Sequence, residues 1–167
     1  MNHKSILKDI IKRKKSNICL SADVDSKTKL FNLIDNLGPH ICILKIHYDI
    51  ITDFYVDFED TINKLNILKR KYDFLIWEDR KFADIGYIME QQVKNHIVNW
   101  ADLISVHPIS GIESLEALST LPVSIIIIGE LSSSNSLTDT HYQELVLNTL
   151  KSVSNLNIIG VVCQHKM

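Results

Sequence analysis

Asp79, Lys81 and Asp84 form an Asp-x-Lys-x-x-Asp array inside the stretch Glu78-Asp79-Arg80-Lys81-Phe82-Ala83-Asp84-Ile85-Gly86. The array follows an apolar run, Phe74-Leu75-Ile76-Trp77, of the kind found in buried strands. Charges packed this closely shift one another's pKa, and an ammonium between two carboxylates is held in its charged form. A site that must present a fixed ammonium next to acids needs this arrangement. A solvated loop face also tolerates charge clusters after a strand, so the weight rests on what the other strand ends carry.

The elements that must position these groups alternate along the chain. Periodicity and caps predict helices over residues 2–15, 27–37, 57–72, 86–99, 112–119 and 140–153, with Ser26 able to cap the second and Thr140 to Gln143 at capping-box spacing for the last. Apolar, β-branched runs predict strands over residues 17–23, 40–46, 74–78, 101–106, 122–129 and 158–163. Six β/α units imply a parallel sheet with helices outside, either doubly wound or of the (β/α)₈-barrel type. No G-x-G-x-x-G follows a strand, which argues against dinucleotide binding at an open sheet. Nearly every strand ends in groups able to do chemistry: Asp23; Lys45 and His47; Asp79, Lys81 and Asp84; His107; Glu130 and Ser132; Gln164 and His165. In a barrel all of these would converge on one mouth. Singly, a histidine such as His47 or His107 reads as an ordinary loop residue, and Glu130 as the partner of a base.

Composition narrows the class. The 167 residues fit a single domain, 1–167, with a sizeable core. A formal charge of −2 gives no global attraction to nucleic acid or to an anionic membrane. No apolar run reaches the length of a membrane span, and the basic N-terminus lacks an apolar signal core. Cys19, Cys42 and Cys163 each fall in a predicted strand, which suggests buried thiols in the reducing cytoplasm. There is no C-x-x-C and no pair of histidines four apart, so no metal site is expected.

The chain resembles the orotidine 5′-phosphate decarboxylase family. The resemblance is carried by Asn17-Ile-Cys-Leu-Ser-Ala-Asp23-Val, by Leu37-Gly-Pro-His-Ile-Cys-Ile-Leu-Lys45-Ile-His47, by Phe74-Leu-Ile-Trp-Glu-Asp-Arg-Lys-Phe-Ala-Asp-Ile-Gly86, and by Glu130-Leu-Ser132. The third segment is the specific one, because related phosphosugar enzymes share only the bare Asp-x-Lys-x-x-Asp. The resemblance implies a TIM barrel with about six of its eight β/α units present. It implies a homodimer with shared active sites, and cofactor-free decarboxylation of orotidine 5′-phosphate to UMP in de novo pyrimidine biosynthesis. Lys45, Asp79, Lys81 and the second copy's Asp84 would then form an alternating charge network. Lys81 would protonate C6, Asp79 would face the departing carboxylate, Asp23 and Lys45 would hold ribose hydroxyls with His47 supporting them, and Ser132 would bind the pyrimidine.

Two departures from the family pattern stand out. The family's phosphate-gripping segment, with an arginine near the last strand and a glutamine on the loop before it, is expected to be missing from these 167 residues. The family also commonly continues Asp-Ile-Gly-Asn-Thr, whereas Gly86 is followed here by Tyr87 and Ile88. Ile88 cannot donate the threonine's hydrogen bond. A reading of a different class is therefore carried alongside: an inactive homologue that dimerises or binds nucleotide.

Overall fold

The computed structural model describes residues 2–167, and within them the alternation appears as six helices and six strands. The strands are β1 (Ile18–Ser21), β2 (Ile41–Ile46), β3 (Leu75–Phe82), β4 (Leu103–Val106), β5 (Ser124–Ile128) and β6 (Ile158–Val162). The helices are α1 (His3–Lys14), α2 (Lys27–Leu37), α3 (Phe58–Tyr72), α4 (Gly86–His96), α5 (Ile112–Glu116) and α6 (Thr140–Ser152). The strands follow chain order in the sheet, and the β1–β2, β2–β3 and β5–β6 ladders are parallel.

The chain divides into two compact units. The first runs to Arg80 and takes in Asn99–Leu103. Its core is Leu44, Ile46 and Ile76 from the strands against Leu30 and Ile34 of α2 and Leu65 of α3, all inaccessible to solvent. At the amino ends of its strands the Lys14 ammonium donates to the carbonyls of Gly38 (2.8 Å), Ile41 (2.5 Å) and Tyr72 (2.6 Å). One cation thereby satisfies carbonyls left over where a helix ends and a strand begins. Gly38 is required at that junction for space, because a Cβ there would meet the Tyr72 ring at 2.5 Å.

The second unit, Lys81–Val98 with Ile104–Met167, is built on β4, β5 and β6. β5 is buried at every position and β6 is half-buried at every position. Gly86 opens α4 where a Cβ would come within 2.8 Å of the Ala117 Cβ.

Several sequence expectations need correction. β3 runs through Phe82, so Asp79 and Lys81 lie on the strand and only Asp84 follows it. Charged side chains read as loop in a sequence, but here Asp79 and Phe82 are buried on the strand. Ser26 occupies the N-cap of α2 without a side-chain cap bond; Asp53 Oδ1 accepts from the Lys27 amide instead, at 2.8 Å. The cap of α6 is Asp139, one residue earlier than the capping box placed it, and it accepts from the Tyr142 amide at 2.9 Å. Of the three thiols only Cys42 is buried; Cys19 and Cys163 are exposed.

Candidate functional site

Parallel register determines which side chains meet in the first unit. Lys45 pairs with Ser21 on one side and Trp77 on the other, which puts Asp79, two residues past Trp77 on β3, beside the end of β2. The Lys45 ammonium lies 3.1 Å from Asp79 Oδ2 and 3.8 Å from Asp23 Oδ1. His47 Nε2 approaches the same Asp79 oxygen at 3.4 Å. The Lys45 and Asp79 side chains are only 14% and 7% exposed, against 55% for Asp23. Asp79 is thus a nearly enclosed carboxylate facing two nitrogen donors, and Asp23 is a solvent-facing acid at its edge. Four of the sequence candidates, Asp23, Lys45, His47 and Asp79, therefore come together.

The acid preceding Asp79 has a different role. Glu78 is fully buried, and burial pushes its carboxyl up to about 9, with the Tyr48 amide bond opposing the shift. Its Oε2 accepts from the Tyr48 amide at 3.1 Å. Donor atoms of His47, Asp49 and Glu78 lie within 4.8 Å of one another, a set of types that suits a divalent cation. Against that reading, the Arg80 guanidinium already sits 3.5 Å from Asp49 Oδ2, and Glu78 carries a proton at neutral pH.

In the second unit the key backbone feature is Lys81. Its φ is +59°, a left-handed conformation that costs a non-glycine residue free energy and clusters at functional sites. The kinked residue is held by its amide, which donates to the fully buried Ser105 hydroxyl on β4 at 3.1 Å. One residue on, the Phe82 carbonyl accepts from the His107 amide at 2.7 Å. The His107 ring lies 3.2 Å from the Tyr142 hydroxyl. Burial, and then the Lys81 charge, hold its pKa below the usual histidine value. Asp84 is exposed and accepts from the Ile85 amide at 2.8 Å. Ser132 is exposed on the loop after β5. That loop and the end of β4 enclose a cleft of about 420 Å³ lined by His107, Leu131, Thr138 and Tyr142. Glu130 accepts from the amides of Gln164 (2.8 Å) and His165 (3.2 Å), which ties the end of β5 to the segment after β6.

Ser105 and Glu78 are the positions that the sequence did not single out. Ser105 hides in an apolar run, Leu103-Ile-Ser-Val106. Glu78 passes for one more member of a charge cluster. A hydroxyl in the middle of an otherwise apolar strand is the signal that marks Ser105; Glu78 carries no such mark, since Asp79, Arg80 and Lys81 follow it on the same strand.

An alternating α/β chain with parallel strands and charged strand ends is the layout of the barrel enzymes, and comparison with solved structures agrees. The orotidine 5′-phosphate decarboxylase of Pyrococcus horikoshii superposes with a TM-score of 0.65 at 21% identity, over 86% of this chain and 65% of that one. The fold is of the (β/α)₈-barrel type with six β/α units. The family model described as "Orotidine 5′-phosphate decarboxylase / HUMPS family" matches residues 16–167, and the chain belongs to that family. Orotidine 5′-phosphate decarboxylases from Pichia kudriavzevii and Pachysolen tannophilus are 37% and 39% identical to it over 95% of the chain. The chain spans 63% and 62% of the length of those two relatives.

Proposed function

We propose that this chain carries the decarboxylation centre of an orotidine 5′-phosphate decarboxylase, a cofactor-free carboxy-lyase of pyrimidine biosynthesis acting in the cytoplasm as a single barrel domain. The observation that carries the reading is the enclosed Lys45–Asp79 pair with His47 on the same carboxylate, in a chain that the family model matches over residues 16–167.

The chemistry accounts for the residue types. Breaking the C6–carboxylate bond leaves its electron pair on C6, where the ring cannot delocalise it. Stabilisation must therefore be electrostatic and preorganised. In the proposed roles, Lys81 presents its ammonium to C6 and transfers a proton there as carbon dioxide leaves, later regaining one from solvent. Asp79 faces the substrate carboxylate, and Lys45 offsets its charge. Lys45 and Asp23 take ribose hydroxyls with His47 beside them, and Ser132 takes the ring. The strained φ of Lys81, tied to Ser105, supports a lysine held for a purpose. Asp84 of a second copy completes the alternating network in a homodimer. Exposed Ile85 and Tyr87 beside it, at 63% and 67%, suit such a contact.

The second reading, an inactive homologue that dimerises or binds nucleotide, is favoured by one observation: Gly86 is followed by Tyr87 and Ile88, and the Ile88 side chain cannot donate the hydrogen bond of the family's threonine. Incubating the purified chain with orotidine 5′-phosphate and following its absorbance separates the two. Turnover to UMP supports the decarboxylase, and binding of UMP without turnover supports the inactive homologue.

A further inference from the structure

Glu78 sits where the chain leaves β2. It pairs in register with Ile46, and its carboxyl reaches past that residue to the amide of Tyr48, the first residue of a short 3₁₀ turn, Tyr48–Ile50. His47 lies between the strand and the turn, so its backbone is fixed on one side by the ladder and on the other by this hydrogen bond. The turn is braced again from outside, where Arg80 Nη1 donates to the Tyr48 hydroxyl at 3.2 Å. The His47 ring is the group that lies 3.4 Å from Asp79 Oδ2.

Resting on the decarboxylase reading of this site, we propose that Glu78 is a positioning residue: by holding the Tyr48 amide it sets the His47 ring against the Asp79 carboxylate. Three observations support it. Glu78 has no exposed surface, so its carboxyl is locked in one place. Its second oxygen, Oε1, is buried with no hydrogen-bond partner among the described residues, so the acid is not retained to saturate its own bonding. A buried acid with an idle oxygen is costly, and its position at the turn gives the cost a return. The third is charge. With its carboxyl pushed up to about 9, Glu78 is neutral at working pH and does not compete with Asp79 for the Lys45 ammonium. An acceptor that is neutral in place suits a position next to a catalytic carboxylate better than an ionised one.

The test reads His47 itself, independently of turnover. Nitrogen-15 spectra of the His47 ring and hydrogen exchange of the Tyr48 amide are recorded for the wild-type chain, Glu78→Gln and Glu78→Leu, with His47→Gln for assignment. Gln keeps a neutral acceptor of the same shape. Leu removes it, and losing one such bond corresponds to roughly tenfold faster exchange. We expect Gln to keep the wild-type ring shifts and Tyr48 protection. We expect Leu to shift the ring signals and to speed Tyr48 exchange about tenfold. Should Glu78→Leu not fold, Glu78→Asp replaces it, since an acid one methylene shorter withdraws from Tyr48 and is expected to behave as Leu does. Unchanged His47 signals in Leu or Asp overturn the proposal, and so does a Gln variant that behaves like Leu. Absence of turnover in the wild-type chain counts against the decarboxylase reading alone, because these signals do not depend on it.

Discussion

The ends of β2 and β3 and the ends of β5 and β6 carry similar polar residues but hold them in different ways. At the first, Lys45 and Asp79 are largely enclosed and joined at 3.1 Å, and the neighbouring acid is buried and neutral. At the second, the Glu130 side chain is also only 15% exposed, but it accepts from two backbone amides and faces a His165 side chain that is 83% exposed, while Ser132 is exposed. Both members of the Lys45–Asp79 pair are enclosed, whereas the His165 partner of Glu130 is open to water and salt, which screen that contact more. The difference teaches where fixed electrostatics can reside. In the proposed chemistry a charge that acts on a forming carbanion has to be oriented before substrate arrives, and the enclosed Lys45–Asp79 pair suits that condition.

The largest effect expected from this contrast is on stability. Asp79→Ala leaves the enclosed Lys45 ammonium without its nearest acid and should lower unfolding free energy by about 3–5 kcal/mol. Glu130→Ala, whose side-chain partner His165 is exposed, should cost less. Urea titration of both variants checks this, and equal losses would break the comparison.

A smaller effect is expected at the opposite end of the same strands. Lys14→Met removes a cation from the carbonyls of Gly38, Ile41 and Tyr72, and hydrogen bonds to a charged group contribute about 1.5–3 kcal/mol. A loss in that range by urea titration would extend the pinning of the first unit to both ends of its strands. No measurable loss would confine it to the site.

Two buried groups of the first unit sharpen the contrast through pH, with opposite signs. Glu78 keeps a proton in the folded chain that the unfolded chain releases above its ordinary 4.5. Its contribution is therefore full at acid pH and is lost as pH rises towards about 9. Glu78→Gln should flatten that slope and gain about 1 kcal/mol or more on wild type at pH 8 relative to pH 5. Burial holds buried His3 below 6.5, so its effect runs the other way: stability falls as pH drops from 6.5 towards the folded value, because the unfolded chain takes up a proton first. Thermal melts of Glu78→Gln and His3→Gln across pH 5 to 8 separate the two. The smallest effect is expected in the second unit at Leu137, which is 92% exposed. Leu137→Ser should change stability by less than about 0.5 kcal/mol.

The six β/α units are legible in the sequence because apolar runs and helical periodicity report burial directly. The strand ends are less so. β3 reads as stopping at Glu78 because charge suggests solvent, yet it continues to Phe82. What the sequence does not show is that Glu78 and Asp79 are buried there, since that depends on register with β2. Lys45, Asp79 and Lys81 are legible by motif. The left-handed φ of Lys81 and its tie to Ser105 are not, because no glycine or turn residue marks the kink. Cys19 and Cys163 mislead for a related reason: strand position alone does not give burial at β1, three of whose four residues are exposed, or just past β6.

The most direct test of the proposed decarboxylation centre is turnover of orotidine 5′-phosphate by the purified wild-type chain and by Lys81→Ala, followed by absorbance. In the proposed mechanism Lys81 supplies both the stabilising charge and the proton. Removing a group of this kind costs roughly 10²–10³-fold or more in rate. The expected result is turnover by the wild-type chain that falls to background in Lys81→Ala. Equal rates for the two, or no turnover by the wild-type chain, would contradict it.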